Sequence, residues 1–230
     1  DLIAKEEMVV SMTNSGYIKR IPIDQYRVQK RGGKGLKGAT TKDEDFVWRV
    51  FSADTHDTLL NFTDRGKVYW LKVYQVPQGS RTSKGKAIQN VIQLSGGESV
   101  KALLPIVDFE SGGFAVMLTE EGIIKKTKLD AFKRPRQNGL IALTIDLEDN
   151  LQDTKLSTGK CDIFIVTKEG MSIRFDENDV RAMGRTARGV KGVTLGKEDK
   201  VIGMEVIDKE CNDTILIVTQ KGYGKRTLMN

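Results

Sequence analysis

The chain has 230 residues, of which 39% are hydrophobic and 30% charged, and its formal net charge is +6. No apolar run approaches the roughly 18 residues that a membrane helix needs, and no signal segment opens the chain. The cysteines, Cys161 and Cys211, have no CxxC partner, and His56 is the single histidine, which argues against a disulfide framework, a zinc site and a catalytic triad. We therefore expect a chain without metal, cofactor or membrane partner.

Five segments of similar pattern follow one another along the chain at intervals near fifty residues. Each has an apolar stretch, the motif Thr-x-x-Gly, and a second stretch that is often basic. The motif supplies a short turn whose last residue can take a positive φ, so each segment predicts a β-hairpin. The hairpins start near residues 8, 58, 114, 162 and 214, and their turn glycines are Gly16, Gly66, Gly122, Gly170 and Gly222.

The stretches after the hairpins contain further short apolar runs, among them residues 90–94, 140–144 and 192–195. Each repeat therefore offers about four short strands, and helical periodicity is weak throughout. Repeats of this length and strand number are typical of propeller blades. The sequence thus predicts an all-β, propeller-like single domain over residues 1–230, with four four-stranded blades and a partial fifth. The fifth repeat stops at Asn230, so either the disc is truncated or the last hairpin completes an earlier blade.

Four loops, at the same place in successive repeats, concentrate the positive charge. They span residues 27–37, 79–86, 133–139 and 181–191, and together hold 15 lysines and arginines in 37 residues, without an aspartate or glutamate. The remaining 193 residues hold 22 basic and 31 acidic side chains. A single loop of this kind is typical of a solvated turn, but four in register predict a shared role. In a radial fold, equivalent loops lie on one rim and form a curved belt of cations.

A curved belt of spaced cations suits duplex DNA bent around the protein. Phosphate neutralisation supplies affinity without base reading and can offset the elastic cost of bending, of the order of 1–6 kcal/mol for a 20–30 bp site. Glycines in the loops let backbone N–H groups approach phosphates. The loops contain no aromatic side chain for base stacking, which argues against single-stranded nucleic acid and RNA. A propeller scaffold that binds an acidic protein is the alternative from another functional class.

The first loop carries the segment QKRGGKG at residues 29–35, which resembles the QRRGGKG signature, or box, of the C-terminal domain of the DNA gyrase A subunit. Lys30 replaces the usual arginine and keeps its charge. Segments such as GYIKR, TKDEDFV, GVKGVTLG and GYGKRT extend the similarity along the chain. The resemblance implies a β-pinwheel, a usually six-bladed disc whose basic perimeter wraps duplex DNA. The C-terminal domain of topoisomerase IV is the related alternative, although that family usually degrades the box.

The resemblance also implies a non-catalytic domain within an ATP-dependent type II topoisomerase. Wrapping presents a nearby duplex segment with a positive crossing, and passage of that segment through the cleaved one yields negative supercoils. The cleavage tyrosine and the ATPase site lie in other parts of the holoenzyme. The implied partners are therefore duplex DNA, the rest of the gyrase A subunit and the gyrase B subunit. The implied location is the bacterial cytoplasm, in association with the nucleoid.

Candidate DNA-binding residues come from the resemblance and from the charge pattern of the loops. The resemblance places the box on Gln29, Lys30, Arg31, Gly32, Gly33, Lys34 and Gly35, and the degenerate boxes of later blades on Arg81, Lys84, Arg185, Arg188 and Lys191. The charge pattern adds Lys37, Lys86, Arg134 and Arg136. No catalytic residue and no metal ligand is assigned.

Overall fold

A computed structural model describes residues 2–25, 45–210, 214–219 and 221–228. Within these ranges the chain forms seventeen β-strands and five short 3-10 helices, and it forms no α-helix. The prediction of an all-β fold is therefore confirmed. No helix among the described residues is long and apolar enough to span a membrane.

The strands form five antiparallel sheets, which follow one another along the chain as blades. Blade 1 holds β1 (Glu7–Thr13), β2 (Tyr17–Pro22), β3 (Val47–Asp54) and β6 (Lys86–Ala87). Blade 2 holds β4 (Thr58–Thr63), β5 (Lys67–Lys72), β7 (Val100–Ile106) and β10 (Leu140–Ile141). Blade 3 holds β8 (Phe114–Thr119), β9 (Ile123–Lys128), β11 (Leu151–Ser157) and β14 (Val190–Lys191). Blade 4 holds β12 (Cys161–Thr167), β13 (Ser172–Asp176) and β15 (Val201–Asp208), and blade 5 holds β16 (Thr214–Val218) and β17 (Gly224–Leu228).

The boundaries of the blades differ from those of the sequence repeats by one strand. Blade 1 has the order β3-β1-β2-β6, and its short edge strand β6 belongs to the second repeat. There Ala87 pairs with Tyr17, and Lys86 pairs with Ile18. In the same way β10 of the third repeat completes blade 2, and β14 of the fourth repeat completes blade 3. Each of these blades therefore takes its fourth strand from the next repeat.

The last two blades have fewer strands among the described residues. Blade 4 has three, in the order β13-β12-β15, and blade 5 consists of the hairpin β16-β17. Within the described residues, the two strands of this last hairpin pair only with each other, so they form a separate, partial fifth blade. The prediction of a propeller-like fold with four blades and a partial fifth is confirmed, with blade 4 one strand short of the expected four.

All five Thr-x-x-Gly motifs form the predicted hairpin turns. In each turn the glycine N–H donates to the threonine carbonyl at 2.9–3.1 Å, and the glycine φ lies between +74° and +83°. The threonine hydroxyl accepts a hydrogen bond from the amide after the glycine, at 3.1–3.3 Å. A φ in this range favours glycine, since a Cβ would be strained there. The repeated motif therefore has a structural role in the hairpins.

The hydrophobic core lies between successive blades. One cluster joins blades 1 and 2, a second joins blades 2 and 3, and a third joins blades 3 and 4. Tyr69 is the largest buried side chain of the first cluster, and Phe62 and Phe132 are the largest of the second. Strand β11 lies against both β7 and β15. Each of these three strands stands at one end of its sheet, so they converge on the axis of the disc. The short strands β10 and β14, at the opposite ends of their sheets, therefore lie at its outer edge.

A hydrogen bond from one position of the repeat links each of the first three blades to the next repeat. The donor stands four positions after the turn glycine, and the acceptor is a main-chain carbonyl at or just after the 3-10 helix that follows the next hairpin. The donor side chain differs from blade to blade, but the bond is kept at 2.7–2.8 Å. The pairs are Arg20 with Val76, Trp70 with Phe132 and Lys126 with Glu177.

Candidate nucleic-acid interface

The box segment 29–35 and Lys37 lie outside the described residues, so their predicted contacts stay predictions. The other three basic loops, 79–86, 133–139 and 181–191, are described in full. They contain eight of the predicted DNA-binding residues: Arg81, Lys84, Lys86, Arg134, Arg136, Arg185, Arg188 and Lys191.

The three described loops occupy the same place on three successive blades. Loop 79–86 follows an isolated parallel bridge to β2 and runs into β6, along the outer edge of blade 1. Loop 181–191 forms an equivalent bridge to β9 at Ala182 and ends in β14, at the outer edge of blade 3. Loop 133–139 leads into β10 at the outer edge of blade 2. The repeat thus brings three groups of cations to equivalent outer edges.

Five of the eight described cations are exposed to solvent. Lys84 is partly buried, and its ammonium lies 3.6 Å from the ring centroid of Tyr17 on β2 of the same blade. A cation in this position is attracted by the ring. Arg81 and Arg185 are also partly buried, and the exposed members are Lys86, Arg134, Arg136, Arg188 and Lys191.

One predicted cation has a carboxylate partner among the described residues. Arg188 Nη1 lies 3.1 Å from Asp146 Oδ1, and both side chains are about 70% exposed. An ion pair so open to water is weak, so a phosphate can take the place of the aspartate. Lys133, in the same set of loops, pairs with Glu110 at 3.0 Å. The seven other predicted cations of the described loops form no ion pair within the described part of the chain.

The glycines near the ends of the loops allow close packing of each loop on the blade whose outer edge it follows. Gly85 has φ +88°, and a Cβ there would lie 2.5 Å from the Ile18 carbonyl oxygen. Gly189 has φ +95°, and its Cβ would lie 2.5 Å from the Ile124 carbonyl oxygen. No side chain fits at either distance, so each glycine lets its loop lie directly on the strand next to the outer edge of its blade, β2 in blade 1 and β9 in blade 3. This contact gives the glycine column a positioning role in addition to the predicted approach to phosphate.

Gly189→Ala is expected to lower the free energy of unfolding by about 2 kcal/mol or more, because the new Cβ would be strained in φ and pressed against Ile124. Gly184→Ala in the same loop is the matched control, since a Cβ there has no heavy atom within 4 Å. We expect the control to change stability by about 0.5 kcal/mol or less. Urea denaturation of both variants measures the difference, and equal losses would contradict the packing role of Gly189.

Two buried lysines hold two of the loops, and the sequence patterns assigned them no function. Lys19 is 3% exposed and Lys125 is 0% exposed, each three positions after a turn glycine. Each ammonium donates to main-chain carbonyls of a basic loop. Burial lowers the pKa of Lys19, and burial, helped by the charge of Arg185, lowers the pKa of Lys125 to about 8. The sequence feature that could have identified these two residues is a lysine within an apolar strand, because a buried charge needs hydrogen-bond partners.

The arrangement offers charge neutralisation and main-chain hydrogen bonding along an outer edge. Among the described residues, no group of three or more histidine, cysteine, aspartate or glutamate side chains could hold a metal ion.

The chain matches the model of a family described as DNA gyrase C-terminal domain, beta-propeller, in five stretches, one for each repeat. The matched stretches are residues 7–52, 57–106, 114–155, 162–208 and 213–230.

Individual relatives agree with the family match. The DNA gyrase A subunit of Staphylococcus epidermidis is 45% identical over 228 residues, which cover 99% of this chain and 26% of that protein. The chain therefore spans about a quarter of the length of this curated relative. A solved C-terminal domain of DNA topoisomerase IV has a TM-score of 0.79 and 30% identity, covering 99% of this chain and 69% of that one. A solved DNA gyrase A C-terminal domain has a TM-score of 0.77 and 28% identity, covering 97% and 72%. Because the family model matches every repeat, the chain belongs to the DNA gyrase C-terminal domain family.

Proposed function

We propose that this chain binds duplex DNA along the outer edges of its blades and wraps it, as a non-catalytic domain of DNA gyrase. The observation that carries the proposal is the common placement of the acid-free loops. Three of them lie at equivalent outer edges of consecutive blades, so the turn of the disc spaces their cations along a curve. Membership of the gyrase family supports the same function.

In this function the exposed cations neutralise successive phosphates, and the affinity comes from the counterions that the DNA releases. A straight duplex would reach the loops of few blades, whereas a bent one reaches several. The added contacts offset the cost of bending. Because phosphates carry no sequence information, binding tolerates any base sequence. The box segment 29–35 supplies a further group of cations.

The remaining steps of supercoiling belong to other parts of the holoenzyme. We propose as partners the remainder of the gyrase A subunit and the gyrase B subunit, which cleave DNA, pass the second duplex and hydrolyse ATP at the bacterial nucleoid. The contribution of this chain is the path of the wrapped duplex, which determines the sign of the crossing that is passed. No residue of the chain needs to react for that purpose.

Structural likeness alone does not separate gyrase from topoisomerase IV, because the two solved domains have TM-scores of 0.77 and 0.79. The intact box and the 45% identity with a gyrase A subunit favour gyrase. A scaffold for an acidic protein is the other alternative, and it would use the same exposed cations.

The test measures the binding of this chain to duplexes of unrelated sequence at several salt concentrations. We expect log K to fall with log salt by about 0.9 for each phosphate neutralised, equally for all sequences. Ligation of a nicked circle with the chain bound should then change the linking number. A salt slope of log K near zero would contradict DNA binding. Binding with a steep salt slope but no change in linking number would contradict wrapping. Displacement of the duplex by a dilute acidic protein would favour the scaffold.

A further inference from the structure

We propose that loops 79–86 and 181–191 each contain a phosphate-binding site made of main-chain amides, and that the buried Lys19 and Lys125 position these amides. The proposal rests on the proposed function, because the phosphate is one of bound duplex DNA. It adds uncharged donors to the exposed cations and names the residues that orient them.

Lys19 lies on β2, beneath the first of these loops. Its ammonium donates to the carbonyl oxygens of Ser80, Arg81 and Ser83 at 3.1, 2.8 and 2.8 Å. The side chain is buried, so the ammonium is withdrawn from solvent and cannot itself reach DNA. Charge-assisted hydrogen bonds are stronger than neutral ones, so a single ammonium shared by three carbonyls holds the inner surface of the loop in one conformation.

Lys125 lies at the equivalent position on β9, beneath loop 181–191. Its ammonium donates to the carbonyl of Arg185, to that of Ala187 at 3.1 Å and to that of Ala142 at 2.7 Å. The first two acceptors stand at the same places in the repeat as Arg81 and Ser83. The same lysine–carbonyl arrangement therefore occurs twice in the chain, on blades 1 and 3.

The inward carbonyls determine where the neighbouring amides point. In a planar trans peptide, the C=O and the following N–H point in opposite directions. Because the carbonyls of Arg81 and Ser83 point to the lysine, the amides of Thr82 and Lys84 point away from it. The equivalent amides of the other loop follow the same rule. Within the described ranges, no hydrogen bond is donated by these four amides, which are those of Thr82, Lys84, Thr186 and Arg188.

Unpartnered amides beside cations are the donors that phosphate oxygens need. Main-chain N–H groups that converge on one side of a loop form anion sites without any charge of their own. Here Arg81 and Lys84 lie in the same loop as the first pair of amides, and Arg185 and Arg188 lie with the second. Each loop thus combines two outward amides with two cations, which fits one DNA phosphate and its neighbour.

The loop of blade 2 lacks this arrangement and provides a comparison within the chain. Tyr69 takes the position of the lysine on β5, and a Cβ on Gly139 would lie 2.8 Å from its ring. The Tyr69 hydroxyl donates to Glu98 at 2.7 Å, so it does not hold the loop carbonyls. This loop therefore binds DNA through the side chains of Arg134 and Arg136.

The test is amide NMR of the 230-residue chain, titrated with a duplex of about 20 bp. We expect the amide protons of Thr82, Lys84, Thr186 and Arg188 to shift downfield on binding. Lys19→Met should abolish the shifts in its own loop and leave those of the other loop, and Lys125→Met should do the reverse. Each variant should weaken binding roughly tenfold, as expected for one lost charge-assisted hydrogen bond. An effect confined to one loop cannot come from general destabilisation.

Three outcomes separate the parts of the proposal. Unchanged amide shifts in Lys19→Met would overturn the positioning role, and wild-type amides that do not move while DNA binds would overturn the amide site. If the wild-type chain binds no duplex, the proposed function itself is wrong. Lys19→Gln keeps a hydrogen-bond donor and is used if the methionine variant does not fold, and its expected result is a partial loss of the same shifts.

Discussion

Replacement of four loop cations by alanine is expected to weaken DNA binding on the order of 10³-fold at about 0.1 M salt, and to reduce the logarithmic salt slope by about 3.6. The four are Arg81, Lys84, Arg185 and Arg188. Each phosphate contact contributes about 0.9 to the slope, because it releases one condensed counterion. Fluorescence anisotropy with a labelled duplex, at several salt concentrations, measures both quantities.

The matched control removes the same charge from outside the loops. It replaces four exposed lysines, and we expect it to keep most of the affinity and nearly all of the salt slope, because these side chains touch no phosphate in the proposed path. Equal losses in the two variants would show that net charge, and not the position of the loops, drives binding. The control residues are Lys5, Lys160, Lys168 and Lys197.

Glu177→Gln is expected to lower the free energy of unfolding by about 3–5 kcal/mol, because it leaves a buried ammonium without its counter-charge. The Glu177 carboxylate is fully buried and lies 3.5 Å from the ammonium of Lys126, whose side chain is 4% exposed. It also accepts hydrogen bonds from the Ser157 hydroxyl at 2.7 Å and the Cys161 amide at 2.8 Å. The pair joins β9 of blade 3 to the repeat that builds blade 4, so its loss loosens an interface between blades.

Urea denaturation followed by circular dichroism measures this loss, with Lys126→Met and the double variant alongside. Lys126→Met should cost a similar amount, since it leaves the carboxylate unpaired in the interior. The double variant should lose less free energy of unfolding than the two single variants combined, by about 1 kcal/mol or more, because neither isolated charge remains. Strictly additive losses would contradict the coupling. Lys200→Met breaks an exposed pair with Glu120 and should cost about 1 kcal/mol or less.

The hairpins could be predicted because their determinants are local. Thr63 and Gly66 form one turn within four residues, and the same chemistry recurs in every repeat. The exchange of strands between repeats could not be predicted in the same way. A two-residue strand such as Lys86–Ala87 carries no periodicity, and its partner Ile18 lies in the repeat before it. Strand pairing of this kind depends on the packing of whole blades.

The place of the basic loops also followed from their position in the repeat, since equivalent segments of a radial fold lie on equivalent edges. The role of Lys125 did not follow, because a lysine in a strand is usually solvated and its carbonyl partners lie far along the chain. A glycine such as Gly189 is equally ambiguous, since packing against a strand and close approach to phosphate require the same residue. Only the contact with Ile124 shows that it packs.

The exchange of strands between repeats decides how mechanical load on the loops is carried. In the proposed function, a duplex that tightens around the disc would pull on the loops, and each of the three described loops is continuous with a strand hydrogen-bonded into the blade of the preceding repeat. The pull would therefore shear a strand pair and a buried interface together, where several bonds must break at once, instead of stretching a free tether. Two successive repeats would share the tension at each of these loops, which suits the proposed wrapping of a stiff polymer against its own elastic recoil.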